Sequence, residues 1–178
     1  SSPAGTRFVA VKWTGGYWLY LDDFGFNGPP TTLSSADDWN LLAHCVEGGW
    51  TAEGVTIKMT DDFTATKMIG NAEHPFRGTF DGQGHTLTLD ISSSGRVAPF
   101  LEINGATIKN LKVTGRMIAG GVAYSGGLVG WVAGGANLIQ NCVVDTLIGM
   151  SHTDGGGIVG YDNSAAKNIE GCVFSGNL

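Results

Sequence analysis

Gly127-Leu128-Val129-Gly130-Trp131 returns 30 residues later as Gly157-Ile158-Val159-Gly160-Tyr161, and this return decides the fold. The same offset carries Ile139 onto Ile169, Cys142 onto Cys172 and Val143 onto Val173. An ungapped repeat of this length means one supersecondary unit stacked on its own copy. Helical repeats of similar length need long amphipathic helices. This stretch is instead rich in glycine and β-branched residues, which disfavour helix and suit short strands joined by turns. Stacking such a unit gives a solenoid of β-strand coils.

Reading outward from the repeat extends the pattern towards the N-terminus. Thr107-Ile108-Lys109-Asn110-Leu111-Lys112-Val113 is a degenerate copy, with Asn110 falling 31 residues before Asn141. Phe76-Arg77-Gly78-Thr79-Phe80 leads into the turn Asp81-Gly82-Gln83-Gly84, and Thr86-Leu87-Thr88-Leu89-Asp90-Ile91 then alternates with period two. Val55, Ile57 and Met59 alternate in the same way. About five coils follow, beginning near residues 55, 76, 98, 127 and 157. Equivalent residues of adjacent coils should sit about 4.8 Å apart. Ile108, Ile139 and Ile169 are expected to form one buried ladder, Leu111, Cys142 and Cys172 a second, and Val113, Val144 and Phe174 a third. Lys109 and Lys112 point outward in that phasing. Asn110 and Asn141 fall at a turn, where stacked amides bond along the column until Gly171 interrupts them.

Before the coils, Ser35-Ala36-Asp37-Asp38 reads as a helix start, with Ser35 as cap and Asp38 at the capping-box position. Trp39, Leu42, Ala43 and Val46 give one apolar face, and Gly48-Gly49 stops the helix. Such a helix suits the cap that a solenoid end requires. Residues 1–33 form a separate segment. Phe8–Trp13 and Tyr17–Leu21 are strand-like, joined by Thr14-Gly15-Gly16 as a β-hairpin, and Gly25–Pro30 is read as a loop.

At 178 residues one domain is the default. The 29 glycines lack a collagen period and suit repeated tight turns. A net charge of −6 argues against a nucleic-acid partner, which requires a basic stripe. No apolar run approaches the roughly 18–20 residues that span a bilayer, so no membrane insertion is expected. The start at Ser1-Ser2-Pro3 and the end at Leu178 suggest a piece of a longer protein. Three cysteines cannot all pair internally, so disulfides do not decide the compartment.

Phe76-Arg77-Gly78-Thr79-Phe80-Asp81-Gly82-Gln83-Gly84-His85-Thr86-Leu87 resembles the opening coil of bacterial surface proteins carrying the GLUG motif. Thr107-Ile108-Lys109-Asn110-Leu111 resembles their next coil. Gly126-Gly127-Leu128-Val129-Gly130 with Ile139-Gln140-Asn141-Cys142 is similar to the GLUG repeat itself, spanning 126–149, with a second copy over 156–178. The likeness covers residues 34–178. It implies a right-handed parallel β-helix of the pectate-lyase-like class, all-β, with a short N-terminal capping helix and a preceding β-hairpin. It also implies secreted or surface-anchored, non-catalytic architecture at the cell surface. Residues 1–33 fall outside it.

Enzymes on such folds need clustered groups. A lyase requires acidic Ca²⁺ ligands with an Arg or Lys base, and a glycoside hydrolase two carboxylates about 5–9.5 Å apart. Asp81, Asp90, Asp145, Asp154 and Asp162 share no repeat position, and the coils supply only Arg77, Arg96 and Arg116 as arginines. Asp81 with His85 is read as turn chemistry rather than a catalytic pair, and His152-Thr153-Asp154 as loop. The doublets Asp22-Asp23, Asp37-Asp38 and Asp61-Asp62 lack calcium-loop spacing and read as solvated charge or helix capping. No catalytic residue, metal or cofactor is expected. Cys142 and Cys172 lie close enough for a disulfide, but inward positions make them small buried hydrophobes in the preferred reading. Cys45 is expected to be buried too.

Aromatics are the better lead. Aromatic rings bind sugars through apolar contact, so Trp131, Tyr161, Trp18, Trp13, Tyr17 and Tyr20 are the candidate glycan-contacting residues. For the hairpin aromatics the competing reading is packing against the cap or the first coil. The expected function is a non-catalytic adhesive or structural module, extracellular or at the cell surface. Its expected partner is a polysaccharide or a host or surface protein, with an end-to-end dimer through the C-terminal coil as a further expectation. A carbohydrate-binding module is the first alternative, and a polysaccharide lyase or hydrolase-like β-helix the second.

Overall fold

The computed structural model describes residues 9–12, 18–22, 25–121, 124–150, 155–164 and 168–178, with side chains from residue 28 onward. The first described elements are β1 (Val9–Lys12), β2 (Trp18–Asp22) and β3 (Gly25–Asn27). β1 and β2 pair antiparallel with Val9 opposite Leu21, as a hairpin requires. β3 pairs antiparallel with β2, placing Phe26 opposite Leu21. Residues 25–27 are therefore a third strand, not the loop that their glycine and asparagine suggested. The turn Thr14-Gly15-Gly16 lies outside the described residues.

The stack starts at β4 (Thr32–Leu33), which pairs with β5 below and so joins the solenoid just before the helix. Helix α1 (Ala36–Glu47) begins where its sequence signals place it. Ser35 is the N-cap, and its Oγ accepts from the Asp38 backbone N–H at 3.3 Å. The Asp38 carboxylate reaches back one residue further than a capping box, accepting from the Ser34 N–H at 2.8 Å. Gly48 closes the C-terminus. Trp39, Leu42, Ala43, Cys45 and Val46 are all buried, so one face of the helix lies on the core. Trp39 is the pivot: its ring meets Phe63, Phe80 and Phe100 at 5.7–6.3 Å between centroids, and its Nε1–H donates to the Lys67 carbonyl at 2.9 Å.

The coils follow in order. β5 (Thr56–Met59) and β6 (Phe63–Ala65) form the first. β7 (Thr79–Asp81), β8 (Thr86–Ser93) and β9 (Phe100–Asn104) form the second. β10 (Thr107–Lys109), β11 (Lys112–Ala119), β12 (Ser125–Gly126) and β13 (Val129–Gly134) form the third. β14 (Leu138–Gln140), β15 (Val143–Met150), β16 (Gly155–Gly156) and β17 (Val159–Asp162) form the fourth. β18 (Ile169–Glu170) and β19 (Val173–Phe174) open the fifth. All pairing between coils is parallel. One wall runs β4-β5-β7-β10-β14-β18, a second β6-β8-β11-β15-β19, a third β9-β13-β17, and β12 pairs β16 between them. The fold is thus a parallel β-solenoid of about five turns. Of the five starts read from sequence, 55 and 76 mark the first wall, and 98, 127 and 157 mark the third.

Register makes the core a set of columns. Ile57, Phe80, Ile108, Ile139 and Ile169 are successive partners. Leu87, Val113, Val144 and Phe174 form a second column, and Phe100, Val129 and Val159 a third. The expected ladders hold in register, but their last rungs are not buried: Cys172 and Phe174 are half-buried. Ile108 and Ile139 are buried, but Ile169 is 48% exposed, because it is the last rung and has a neighbouring rung on one side only.

The repeated glycines follow from how thin the solenoid is. A Cβ on Gly127 would meet the Gly157 carbonyl and the Val144 side chain from the wall opposite. A Cβ on Gly157 would run into the Phe174 ring. The glycine preceding each aromatic, Gly130 or Gly160, is approached by the backbone of Tyr124 and its neighbours. The recurring motif is therefore a packing requirement as well as a turn signal.

Candidate functional site

Repeat register brings the aromatic candidates together. Trp131 is the direct partner of Tyr161 on one side and of Glu102 on the other. The Trp131 and Tyr161 rings lie 4.4 Å apart at 33°, stacked up the outer face of the third wall. Tyr124, just before β12, closes on both, 4.8 Å from Trp131 at 81° and 4.5 Å from Tyr161 at 53°. The Arg96 guanidinium lies 5.9 Å from the Trp131 centroid, within cation–π range, and 3.5 Å from the Glu102 carboxylate. Glu102 is buried, Arg96, Trp131 and Tyr124 are half-buried, and Tyr161 is 38% exposed.

Tyr124 holds φ at 69°, a conformation that costs a non-glycine residue on the order of 1 kcal/mol or more. That turn aims its ring at the Trp131–Tyr161 pair. The repeat in the sequence places Trp131 beside Tyr161, whereas Tyr124, Arg96 and Glu102 join the pair without having been singled out there. Glu102 had a signal, since it stands 29 residues before Trp131 in the same column. Tyr124 and Arg96 sit between strands, where repeat phase carries no information. Of the other candidates, Trp18 and Tyr20 are on β2, where the backbone alone is described. Trp13 and Tyr17 lie outside the described residues.

A polar ridge runs along the turns between the first two walls. Asn110 and Asn141 both hold φ at 54°, and Gly171 continues the left-handed position at 59°. The Asn141 amide donates to Asn110 at 3.5 Å and the Asn110 amide to Asp81 at 3.0 Å, so the expected ladder forms and ends on a carboxylate. Burial alone would raise the Asp81 carboxyl, but bonds from Asn110 and the Gln83 N–H, with Lys109 at 3.4 Å, hold it below its ordinary value. His85 does not face Asp81. It pairs with Asp62 of the preceding coil at 3.0 Å, and Asp62 also accepts from the Thr86 N–H at 2.9 Å. Asp62 is thus a link between coils rather than free solvated charge. The Thr86 N–H and His85 hold its carboxyl below the usual range.

Both carboxyls have depressed values in the fold, so their stabilising contribution is present above about 3.8 and is lost as pH falls through the lower folded values. Asp81→Asn should therefore be less stable than the parent at neutral pH. The gap should close as pH falls below about 3.8, read from urea midpoints at successive pH values. A gap of constant size would show that the carboxylate charge is not what these bonds stabilise.

Among the described residues the remaining acids gather at no common site. Asp90 faces Arg116 at 3.6 Å, and Asp162 caps its own turn through the Ser164 N–H at 2.8 Å. Asp154 and His152 lie outside the described residues. Among the described residues no three His, Cys, Asp or Glu side chains gather as a metal site. None of the described helices is long and apolar enough to cross a membrane. All three cysteines are free thiols, with Cys45 and Cys142 buried and Cys172 half-buried. Comparison of the chain with protein-family models, with curated proteins and with solved structures gave no match in any of the three.

Proposed function

We propose that this chain is a non-catalytic adhesive module of a secreted or surface-anchored bacterial protein, and that Tyr124, Trp131 and Tyr161 form its contact surface. The observation that carries the reading is the gathering of three partly exposed rings on one outer face, beside the Arg96–Glu102 pair. Clustered exposed aromatics with an arginine are the composition of binding hot spots. The strained turn at Tyr124 supports the reading, since strain of this kind collects at functional positions. The regular parallel stack supports a display role, because it holds that face rigid from coil to coil. The GLUG-like motifs quoted above support the cell-surface setting.

A carbohydrate ligand is the second reading, favoured by the exposure of Tyr161 next to a polar pair able to bond hydroxyls. The stacking limits how a sugar would bind. Trp131 has Tyr161 on one side in the column and Glu102, bridged to Arg96, on the other. Ring edges and the Tyr161 ring are what a ligand would meet, rather than an open tryptophan face.

The test is retention of the chain on immobilised polysaccharides and surface proteins, with Trp131→Ala and Tyr161→Ala alongside. Each variant should weaken binding about tenfold, or ~1.4 kcal/mol. Retention on a glycan would select the carbohydrate reading, and retention on proteins alone the adhesive one. Variants that bind as the parent does would remove the cluster as the contact surface.

A further inference from the structure

The column that holds the two repeat cysteines contains more than packing. Gln140 pairs with Glu170 before them and Val143 with Val173 after them, so Cys142 and Cys172 face each other across adjacent coils. That register sets their Cα atoms about 4.8 Å apart, inside the window of about 4.4–6.8 Å that a disulfide spans. The Cys172 Sγ lies 3.4 Å from the Cys142 backbone nitrogen. The two thiols donate to main-chain carbonyls, of Gln140 and Ile108 for Cys142 and of Glu170 and Ile139 for Cys172. We infer that Cys142 and Cys172 are a latent disulfide that staples the last coil to the fourth when the chain meets an oxidising thiol–disulfide couple.

The last coil is the part of the stack that gains from a staple. It pairs with the fourth coil at five described positions, Ile139–Ile169, Gln140–Glu170, Val143–Val173, Val144–Phe174 and the isolated bridge Leu147–Asn177. Ile169 and Val173 are about half exposed. Local opening concentrates where few buried contacts hold a segment. Parallel side chains on neighbouring rungs keep their Cβ atoms near the strand spacing, slightly above the usual disulfide range of about 3.5–4.5 Å. A coil packed on one side only can move to close that difference.

The two thiols differ, and the difference orders the chemistry. Burial is the main cause that pushes the Cys142 thiol up to about 12, whereas Cys172 is half-buried and reachable. Cys172 as thiolate therefore attacks oxidised glutathione first, forming a Cys172–glutathione mixed disulfide and releasing one glutathione thiolate. Cys142 then gives its proton to solvent and attacks the Cys172 sulfur, expelling the second glutathione. Two thiols are oxidised to one disulfide, and one oxidised glutathione is reduced to two thiols. The second step is slow at neutral pH and quickens with alkali, because so little Cys142 is thiolate. Cys45, buried in α1, has its thiol raised to about 11 by burial and stays reduced.

The test is incubation of the whole chain with oxidised glutathione, followed by non-reducing peptide mapping and amide exchange. The expected result is a peptide pair joined through Cys142 and Cys172, with Cys45 recovered as thiol. Exchange of the amides in residues 168–174 should slow on oxidation. It should be unchanged by the same treatment in Cys172→Ala, whose half-exposed position tolerates truncation even if Cys142→Ala does not fold. Arrest at the glutathione adduct, a bridge to Cys45, a link between two chains, or a bridge that leaves exchange unaltered would each overturn the inference.

Discussion

Trp39→Ala should remove about 3–5 kcal/mol of stability, read as a fall in the urea midpoint at unchanged slope. The residue is fully buried and carries the contact between the helical cap and the first coils. Truncation leaves a cavity bounded by Phe63, Phe80 and Phe100, rings held in place by their own strands and unable to collapse inward fully. It also removes the donor to the Lys67 carbonyl. Trp39→Phe separates the two effects in part, since it keeps a ring in the pocket while removing the N–H donor. A loss under about 1 kcal/mol for the alanine variant would mean that α1 is an appendage rather than a cap.

Gly127→Val should cost about 3 kcal/mol or more, at the upper end of overpacking effects. The new side chain has no free volume: its Cβ alone lies against the Gly157 carbonyl and the Val144 methyl. The carbonyl belongs to the next coil's backbone, so relief requires two coils to separate. Gly95→Ala is the control, because its nearest neighbour is a Ser93 hydroxyl at 3.7 Å and its backbone conformation is ordinary. That variant should unfold with the parent. Equal stability of Gly127→Val and the parent would overturn the account of the repeated glycines as close-approach positions.

These two predictions draw on features of different legibility. The cap was readable because its signals are local: a serine cap, acids in the first turn, four apolar residues on one face and a glycine stop. The coils were readable because residues at a fixed offset must occupy one column, and Ile108, Ile139 and Ile169 do. The glycine motif was visible, but its cause was not, since Val144 and Phe174 come from the opposite wall. Likewise Gly25–Asn27 pairs as a strand through β2, a choice that its local composition does not make.

The site divides along the same line. Stacking of Trp131 on Tyr161 followed from the repeat. The third ring and the ion pair did not, because Tyr124 and Arg96 are set by the paths of connecting segments. His85 is a further case. Its neighbour in sequence is Asp81, yet the winding of the chain gives it Asp62, 23 residues earlier.

By itself, the sequence determined what periodicity and local chemistry can encode: a stacked β architecture of about five turns, its inward columns, and its helical cap. The tertiary structure decided which side chains from different coils meet, among them Tyr124 on Trp131, Asp62 on His85, and Val144 over Gly127. The physical reason is that a repeat specifies position along the stack, one coil above the next. Contacts across the stack and between turns depend on the width of each coil and the course of its loops, which no local pattern records.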